Sequence, residues 1–383
     1  MRIGFINTGF NPSGGVGRVM FRIASELAEN HQVCIIALDG KQNDDFYQSS
    51  GVRLVVEKSI WHQLFFHRFL HKVNQKTSMF SVINRDSLYD WIYLPNKLRR
   101  QWKEIIEREQ LDVVIALQGN NSIVLGSIAD ELKCKTVGWQ HSSYDAYFNS
   151  KGIYMWHQDN LFDRMIPRLD SYVVLNNYDK DCLKKYKNIQ ATTIYNPRSF
   201  VSNEKSPCIN KRLIAVGHLI PAKGFDLLIE SFAIFAKYNK EWTLDIYGEG
   251  HDKDKIQQLI NKKHLQDRIT LRGISRDIQG EMLQSSVFLL SSRWEGMPMV
   301  ILEALEMGLP IIAYDITAMN PLVTNQKEGI IVPKYDTKKF ADSMLLLAND
   351  ENLRLMYSNQ AKDKSQEFDI ARIIEQWNDI ISK

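Results

Sequence analysis

Runs of β-branched and apolar residues alternate with longer helical patterns along the whole chain, and this alternation limits the fold more than any other feature. The runs fall near 2–7, 33–38, 52–56, 113–117, 136–139 and 171–175, then near 212–217, 244–248, 269–272, 287–290, 310–314 and 329–332. Such a pattern predicts α/β architecture, with parallel sheets covered by their crossover helices. Between the two sets, YNPRSFVSNEKSPCIN at 195–210 breaks the periodicity with two prolines and a polar cluster, and reads as an interdomain linker. At 383 residues, and roughly 150 per domain, two domains are expected. We place them at 1–197 and 198–366, with a terminal helical segment at 367–383. Helical patterns near 336–349, 351–366 and 370–381 follow the second set, the last carrying Trp377.

Residues 44% apolar and 24% charged describe an ordinary soluble protein. Met1 leads at once into the strand RIGFIN, so no signal segment is expected, and no apolar run approaches the roughly 20 residues of a membrane span. Cys34, Cys134, Cys182 and Cys208 are scattered without metal-ligand spacing, which points to a reducing cytoplasm and no zinc. One segment stands out. Lys58–Lys103 holds nine Lys or Arg against Asp86 and Asp90, interleaved with Trp61, Phe65, Phe66, Phe69, Phe80, Trp91 and Trp102. Trp61, Phe65, Phe69 and Val73 fall at helical spacing beside Arg68 and Lys72, as in an element lying on an anionic membrane surface. The alternative is a helical hairpin whose aromatics pack on the first sheet. Nucleic acid is not expected, because no recognition motif accompanies the charge.

The string SSRWEGMPMVILEALEMGLPIIAY carries the chemistry. Val287–Leu290 reads as a core strand, Trp294–Gly296 as a turn, Pro298 as the first helical position, and Gly308 as the helix end. Amides from about Gly296 to Val300 would face the loop with the positive end of a helix dipole and can hold phosphate oxygens. Glu295 lies outside that end and Glu303 a turn further in. Carboxylates are poor phosphate ligands but good acceptors for sugar hydroxyls. The pair therefore suggests a ligand with sugars on both sides of a diphosphate, as in a nucleotide sugar. Upstream, RLIAVGHLIPAKGFDLLIESF reads as a strand, a tight loop with Lys223-Gly224 at its tip, and a helix over Phe225–Tyr238.

Here the sequence resembles glycosyltransferase family 4, whose signature reads S-x-x-E-G-x-P-x-x-x-x-E-A-x-x-x-G-x-P. Ser292, Glu295, Gly296, Pro298, Glu303, Ala304, Gly308 and Pro310 meet every fixed position. The resemblance implies a GT-B fold: two Rossmann-like domains with parallel sheets facing across a cleft, the first binding acceptor, the second binding nucleotide sugar, and the last helix packing back on the first. It also implies roles. Glu295 would contact the donor sugar, Glu303 the ribose, and the amides of Met297, Pro298's neighbours, Met299 and Val300 the phosphates. The family's G-R-L-x-x-x-K-G is matched by Gly217, Leu219, Lys223 and Gly224, with His218 in the Arg position, so the leaving diphosphate would lean on Lys223 and the helix amides. Gly248, in DIYGEG, and Ile274 would shape the nucleotide pocket. On the acceptor side the resemblance implies Gly14, Gly15 and Arg18, matching G-G-x-x-R, and His141, which follows a strand with Gln140 replacing the family's Glu. His141, Lys223 and Glu295 become the candidate catalytic residues.

The dinucleotide fingerprint G-x-G-x-x-G is not met in NTGFNPSGGVGRV, which disfavours an NAD enzyme. Asp179-Lys180-Asp181 and Asp252-Lys253-Asp254 resemble the metal-holding Asp-x-Asp of the other transferase fold. Both sit at helix starts, so they read as surface caps and no metal or cofactor is expected. The resemblance thus implies a retaining, metal-independent hexosyltransferase. It would move a hexose or N-acetylhexosamine from a nucleotide diphosphate sugar, uridine diphosphate on family frequency, to a polyprenyl-diphosphate-linked sugar or glycan. That work would lie in bacterial surface polysaccharide, capsule or lipopolysaccharide synthesis, at the cytoplasmic face of the membrane. A catalytically silent nucleotide-sugar-binding subunit, kept open by His218, and a transferase for a soluble or protein acceptor are the alternatives.

Overall fold

A computed structural model of the protein describes residues 1–8, 14–39, 50–77, 86–150 and 154–382. Residues 9–13 of NTGFNPSGGVGRV, and Phe80 and Arg85 of the basic segment, all counted in the sequence reading, lie outside the described residues. Two parallel sheets organise the chain. The first contains β1 (Arg2–Thr8), β2 (Gln32–Leu38), β3 (Arg53–Glu57), β4 (Val113–Leu117), β5 (Lys135–Trp139), β6 (Ser171–Val174) and β7 (Thr192–Thr193), ordered β3-β2-β1-β4-β5-β6-β7. The second contains β8 (Arg212–Val216), β9 (Thr243–Tyr247), β10 (Ile269–Gly273), β11 (Val287–Leu290), β12 (Ile311–Tyr314) and β13 (Gly329–Val332), ordered β10-β9-β8-β11-β12-β13.

Burial explains which strands are central. VVIAL of β4, VFLL of β11 and IIAY of β12 are buried at every position, as continuous apolar runs covered by helices on both faces should be. The two-residue β7 was not expected, being too short to carry a pattern. In each sheet the order reverses once, between β1 and β4 and between β8 and β11. Loops leaving the carboxyl ends of strands at such a reversal form the crevice in which open α/β sheets bind ligands.

By contact the chain divides into Met1–Tyr195 with Ile373–Lys383, and Asn196–Arg372. The sequence reading drew its boundaries after 197 and 366. In the first unit, Ile373, Trp377 and Ile381 form the buried stripe of the helix Ile370–Ser382, and Trp377 meets Trp139 edge-on with ring centroids 4.8 Å apart. In the second, the 196–210 segment is tied down by a buried carboxylate. Glu306, fully buried, accepts from Arg198 Nη1 (2.8 Å), the Ser202 amide (2.7 Å), Lys362 Nζ (2.6 Å) and Ser365 Oγ (2.8 Å).

The basic segment folds differently from the single helical face expected of it. Trp61 lies in a separate 3-10 turn, Ile60–Gln63, because the chain bends at Leu64 before the helix Phe65–Thr77 begins. Nor do all its aromatics pack inward: Trp102 is buried, whereas Phe65, at 78% exposure, stands out with Phe66, Phe69 and Trp91. Phe66 and Trp91 touch edge to face at 5.9 Å.

Candidate active site

In the second unit, the ends of β10, β9, β8 and β11 lie side by side, and the sequence-predicted donor residues sit on the loops that leave them. Gly217 donates its N–H to Tyr247 O at 2.9 Å, and Gly248 donates to Gly273 O at 2.7 Å. Gly248 has φ +139°, and a Cβ there would fall 1.9 Å from Gly217 O, so no other residue fits this crossing of backbones. Ile274, the next residue after β10, is 77% exposed, and His218 is exposed at the end of β8.

Lys223 and Glu295 meet, although 72 residues separate them. Lys223 Nζ donates to Glu295 Oε1 at 2.5 Å, and Ser292 Oγ donates to the same oxygen at 2.7 Å. Both partners are partly buried. The aliphatic stem of Lys223 runs over Gly217, where a Cβ would stand 3.5 Å from Lys223 Cδ. A cation and a carboxylate are therefore held at the sheet reversal.

The helix after β11 spans Met299–Glu306, with Pro298 as its cap residue, one position earlier than the sequence reading placed it. Pro298 O accepts from Ile301 N–H at 3.0 Å, which leaves the amides of Met299 and Val300 ahead of the first intrahelical bond. Gly296, Met297, Pro298 and Met299 are buried and Val300 is half-buried. Glu303 is only 2% exposed, and its Oε1 accepts from Ser199 Oγ at 2.8 Å. Ser199 escaped the sequence reading because nothing local marks a linker serine as the partner of a residue 104 positions away. The helix ends as expected, through Gly308 at φ +64° and a bond from Leu309 N–H to Ala304 O at 2.9 Å.

The remaining candidates belong to the first unit. Gly14 caps the helix Gly15–Leu27, and Arg18, partly buried, donates its backbone N–H to Gly14 O at 2.9 Å. His141 follows β5 and is buried; desolvation pushes its pKa down to about 3, so the imidazole is neutral. Its ring lies 4.2 Å from that of Trp139, and Nε2 has no hydrogen-bond partner among the described residues. A neutral imidazole of this kind can exchange a hydrogen bond with a hydroxyl but supplies no charge to a phosphate.

The Asp-x-Asp strings are not simple surface caps. Asp179 is 1% exposed: Oδ1 accepts from the Tyr144 amide at 2.8 Å and Oδ2 from Asn176 Nδ2 at 2.9 Å, while Asn176 takes the capping role. Burial pushes the Asp179 carboxyl up to about 7. Asp252 is also buried and pairs with Lys255 Nζ at 2.9 Å. Among the described residues no group of three or more His, Cys, Asp or Glu could hold a metal ion. Among the described residues no helix is long and apolar enough to cross a membrane.

Comparison with known proteins follows this division of the chain. Residues 13–198 match the family model for Glycosyltransferase Family 4, and residues 202–364 that for Glycosyl transferases group 1. An uncharacterized glycosyltransferase of Haemophilus influenzae is 25% identical over 99% of both chains. A Campylobacter jejuni alpha-1,4-N-acetyl-D-galactosaminyltransferase, whose name gives a diNAcBac-PP-undecaprenol glycan, is 24% identical over 100% of this chain and 99% of its own. Among solved structures, Staphylococcus aureus TarM in complex with fondaparinux, alpha-GlcNAc-glycerol and UDP superposes with a TM-score of 0.78 at 16% identity, each chain covered fully.

Proposed function

Because this chain belongs to glycosyltransferase family 4 and has the GT-B fold, we propose that it is a retaining hexosyltransferase. It moves a hexose or N-acetylhexosamine from a uridine diphosphate sugar to a polyprenyl-diphosphate-linked sugar or glycan, at the cytoplasmic face of the membrane. The observation that carries this reading is the Lys223–Glu295 pair at the β8/β11 reversal, next to the start of the helix Met299–Glu306. As the glycosidic bond to the diphosphate breaks, negative charge grows on the leaving phosphate and positive character on the anomeric carbon. Lys223 and the N–H groups of Met297, Met299 and Val300 are fixed beforehand where the former develops, and such preorganised groups favour the step. Glu295 accepts from sugar hydroxyls. Glu303 holds the ribose, steadied by Ser199. Gly217, His218, Gly248 and Ile274 line the nucleotide. On the acceptor side, Gly14, Gly15 and Arg18 take the phosphate and neutral His141 the attacking sugar. UDP in the TarM complex and the undecaprenol in the Campylobacter jejuni name support the two substrate classes.

His218, in the position where the family signature has Arg, favours one other reading, a silent nucleotide-sugar-binding subunit. Incubation with uridine diphosphate sugars and a lipid-linked acceptor separates the two: transfer supports the enzyme, and binding without transfer the subunit.

Transfer is expected to persist in excess EDTA, because Lys223 and the helix start supply the charge that a metal would. Activity that EDTA abolishes and manganese or magnesium restores would contradict this.

Attachment to an anionic membrane surface is part of the same reading. Arg68, Lys72 and Lys76, on the helix that exposes Phe65, Phe66 and Phe69, find no carboxylate partner among the described residues, whereas Arg99 and Lys103 are paired with Glu131. Basic residues near such a surface contribute about 1 kcal/mol each, screened beyond a Debye length of about 8 Å at physiological salt. The protein should sediment with anionic vesicles at low salt and detach at high salt. Reversing Arg68, Lys72 and Lys76 to Glu should abolish sedimentation while reversing Arg99 and Lys103 has a smaller effect. Equal binding by both variants would show that this helix is an ordinary solvated face.

A further inference from the structure

Lys223 and Glu295 stand on loops that chain order does not keep in register, and one residue outside the assigned site joins them. Arg293 lies two residues before Glu295. Its Nη1 and Nη2 fork the Asp226 carboxylate at 2.9 and 2.6 Å, Nη1 also donates to Pro221 O at 2.7 Å, and its backbone N–H donates to Ala222 O at 2.7 Å. Beside it, Ser291 Oγ donates to Lys223 O at 2.9 Å. Gly224 completes the approach: at φ +61°, a Cβ there would fall 2.1 Å from Ser291 O. The loop carrying Glu295 is thus bonded to both residues preceding Lys223, to Lys223 itself, and to Asp226 in the first turn of the helix that follows. The guanidinium in turn holds the Asp226 carboxyl below the usual carboxylate range, so the fork persists through neutral and mildly acid pH.

We propose that Arg293 is a positioning residue of the donor site, a fork that sets where Lys223 Nζ sits relative to Glu295 and the helix start without touching the donor. The inference rests on the donor-site reading above. Two properties distinguish positioning from mere stabilisation. Arg293 is 24% and Asp226 53% exposed, so the fork is partly screened by solvent and its loss should lower the unfolding temperature by only about 2–4 °C. Displacing a binding cation by about an ångström, in contrast, can cost up to about 100-fold. Lysine should not substitute, since an ammonium cannot fork a carboxylate and reach a carbonyl in one plane.

The test is a double-mutant cycle on the affinity for uridine diphosphate, measured by calorimetry for wild type, Arg293→Ala, Lys223→Ala and the double variant, with Arg293→Lys alongside. We expect Arg293→Ala to weaken binding roughly 10-fold or more with a fall of only about 2–4 °C in unfolding temperature, Arg293→Lys to recover little, and Lys223→Ala to cost far less in the Arg293→Ala background than alone. Should Arg293→Ala fold poorly, Asp226→Asn removes the exposed end of the fork and takes its place in the cycle. Strictly additive losses, or wild-type binding by the fork variants beside weak binding by Lys223→Ala, overturn the inference and leave the donor site standing. Wild-type binding by Lys223→Ala overturns the donor-site reading and the inference with it.

Discussion

Lys223→Ala and Glu303→Gln will each lower donor turnover roughly 10- to 150-fold while the protein stays folded. Each removes a hydrogen bond involving a charged group, worth about 1.5–3 kcal/mol. The Lys223 ammonium is a side-chain cation held at the β8/β11 reversal, bonded to Glu295 at 2.5 Å. Its loss leaves Glu295 with Ser292 and, in the mechanism proposed above, would leave the departing phosphate with the helix amides. Glu303→Gln is the sharper choice over alanine at its position, because it keeps the side chain's size and an oxygen that can still accept from Ser199, while removing the charge and one acceptor oxygen. Steady-state kinetics beside a thermal melt decides the matter. Wild-type turnover by either folded variant removes that residue from the site.

Glu306→Ala will have the largest effect on stability. The carboxylate is fully buried and gathers Arg198, Lys362, Ser365 and the Ser202 amide. Removing one member of a buried ionic cluster strands the others, at about 3–5 kcal/mol. For a unit of this size each kcal/mol shifts the melting temperature by about 2–4 °C, so a fall on the order of 10 °C is expected. The pH dependence has a definite sign. Burial opposes ionisation of Glu306, but the bonds from Lys362, the Ser202 amide, Ser365 and Arg198 outweigh it and hold the pKa below the usual carboxylate value. A depressed folded pKa contributes stability that is complete above the unfolded value and lost as pH falls through the folded one. The gap between wild type and variant should therefore narrow in acid. A loss under about 1 kcal/mol at neutral pH, as for a surface pair, would show that the cluster is not coupled to folding.

Much of the second unit was legible in the sequence because its signals are local. The helix Phe225–Tyr238 buries Phe225, Leu228, Ile229 and Phe232 as its 3.6-residue period predicts, and the continuous apolar run of β11 marks a central strand. What stayed hidden is long-range. Parallel strands joined by crossovers bring residues together that no short window relates, so neither the Lys223–Glu295 bond nor the Arg293–Asp226 fork leaves a local trace. Asp179 misled for a different reason. An acidic residue at a helix start is ordinarily a solvated cap, but here Asn176 takes the cap and Asp179 turns inward to the Tyr144 amide. The bend at Leu64 likewise broke a helical spacing that began correctly at Phe65.

The central claim is that the residues around Lys223 and Glu295 activate a nucleotide diphosphate sugar for transfer. It is tested most directly by incubating the purified protein, in EDTA, with a panel of nucleotide sugars and a polyprenyl-diphosphate-linked sugar, and recording both nucleotide release and the anomeric configuration of the product. The account predicts release of uridine diphosphate, a glycolipid one sugar longer, and a new linkage with the anomeric configuration of the donor. No release from any nucleotide sugar, or a product of inverted configuration, would contradict it.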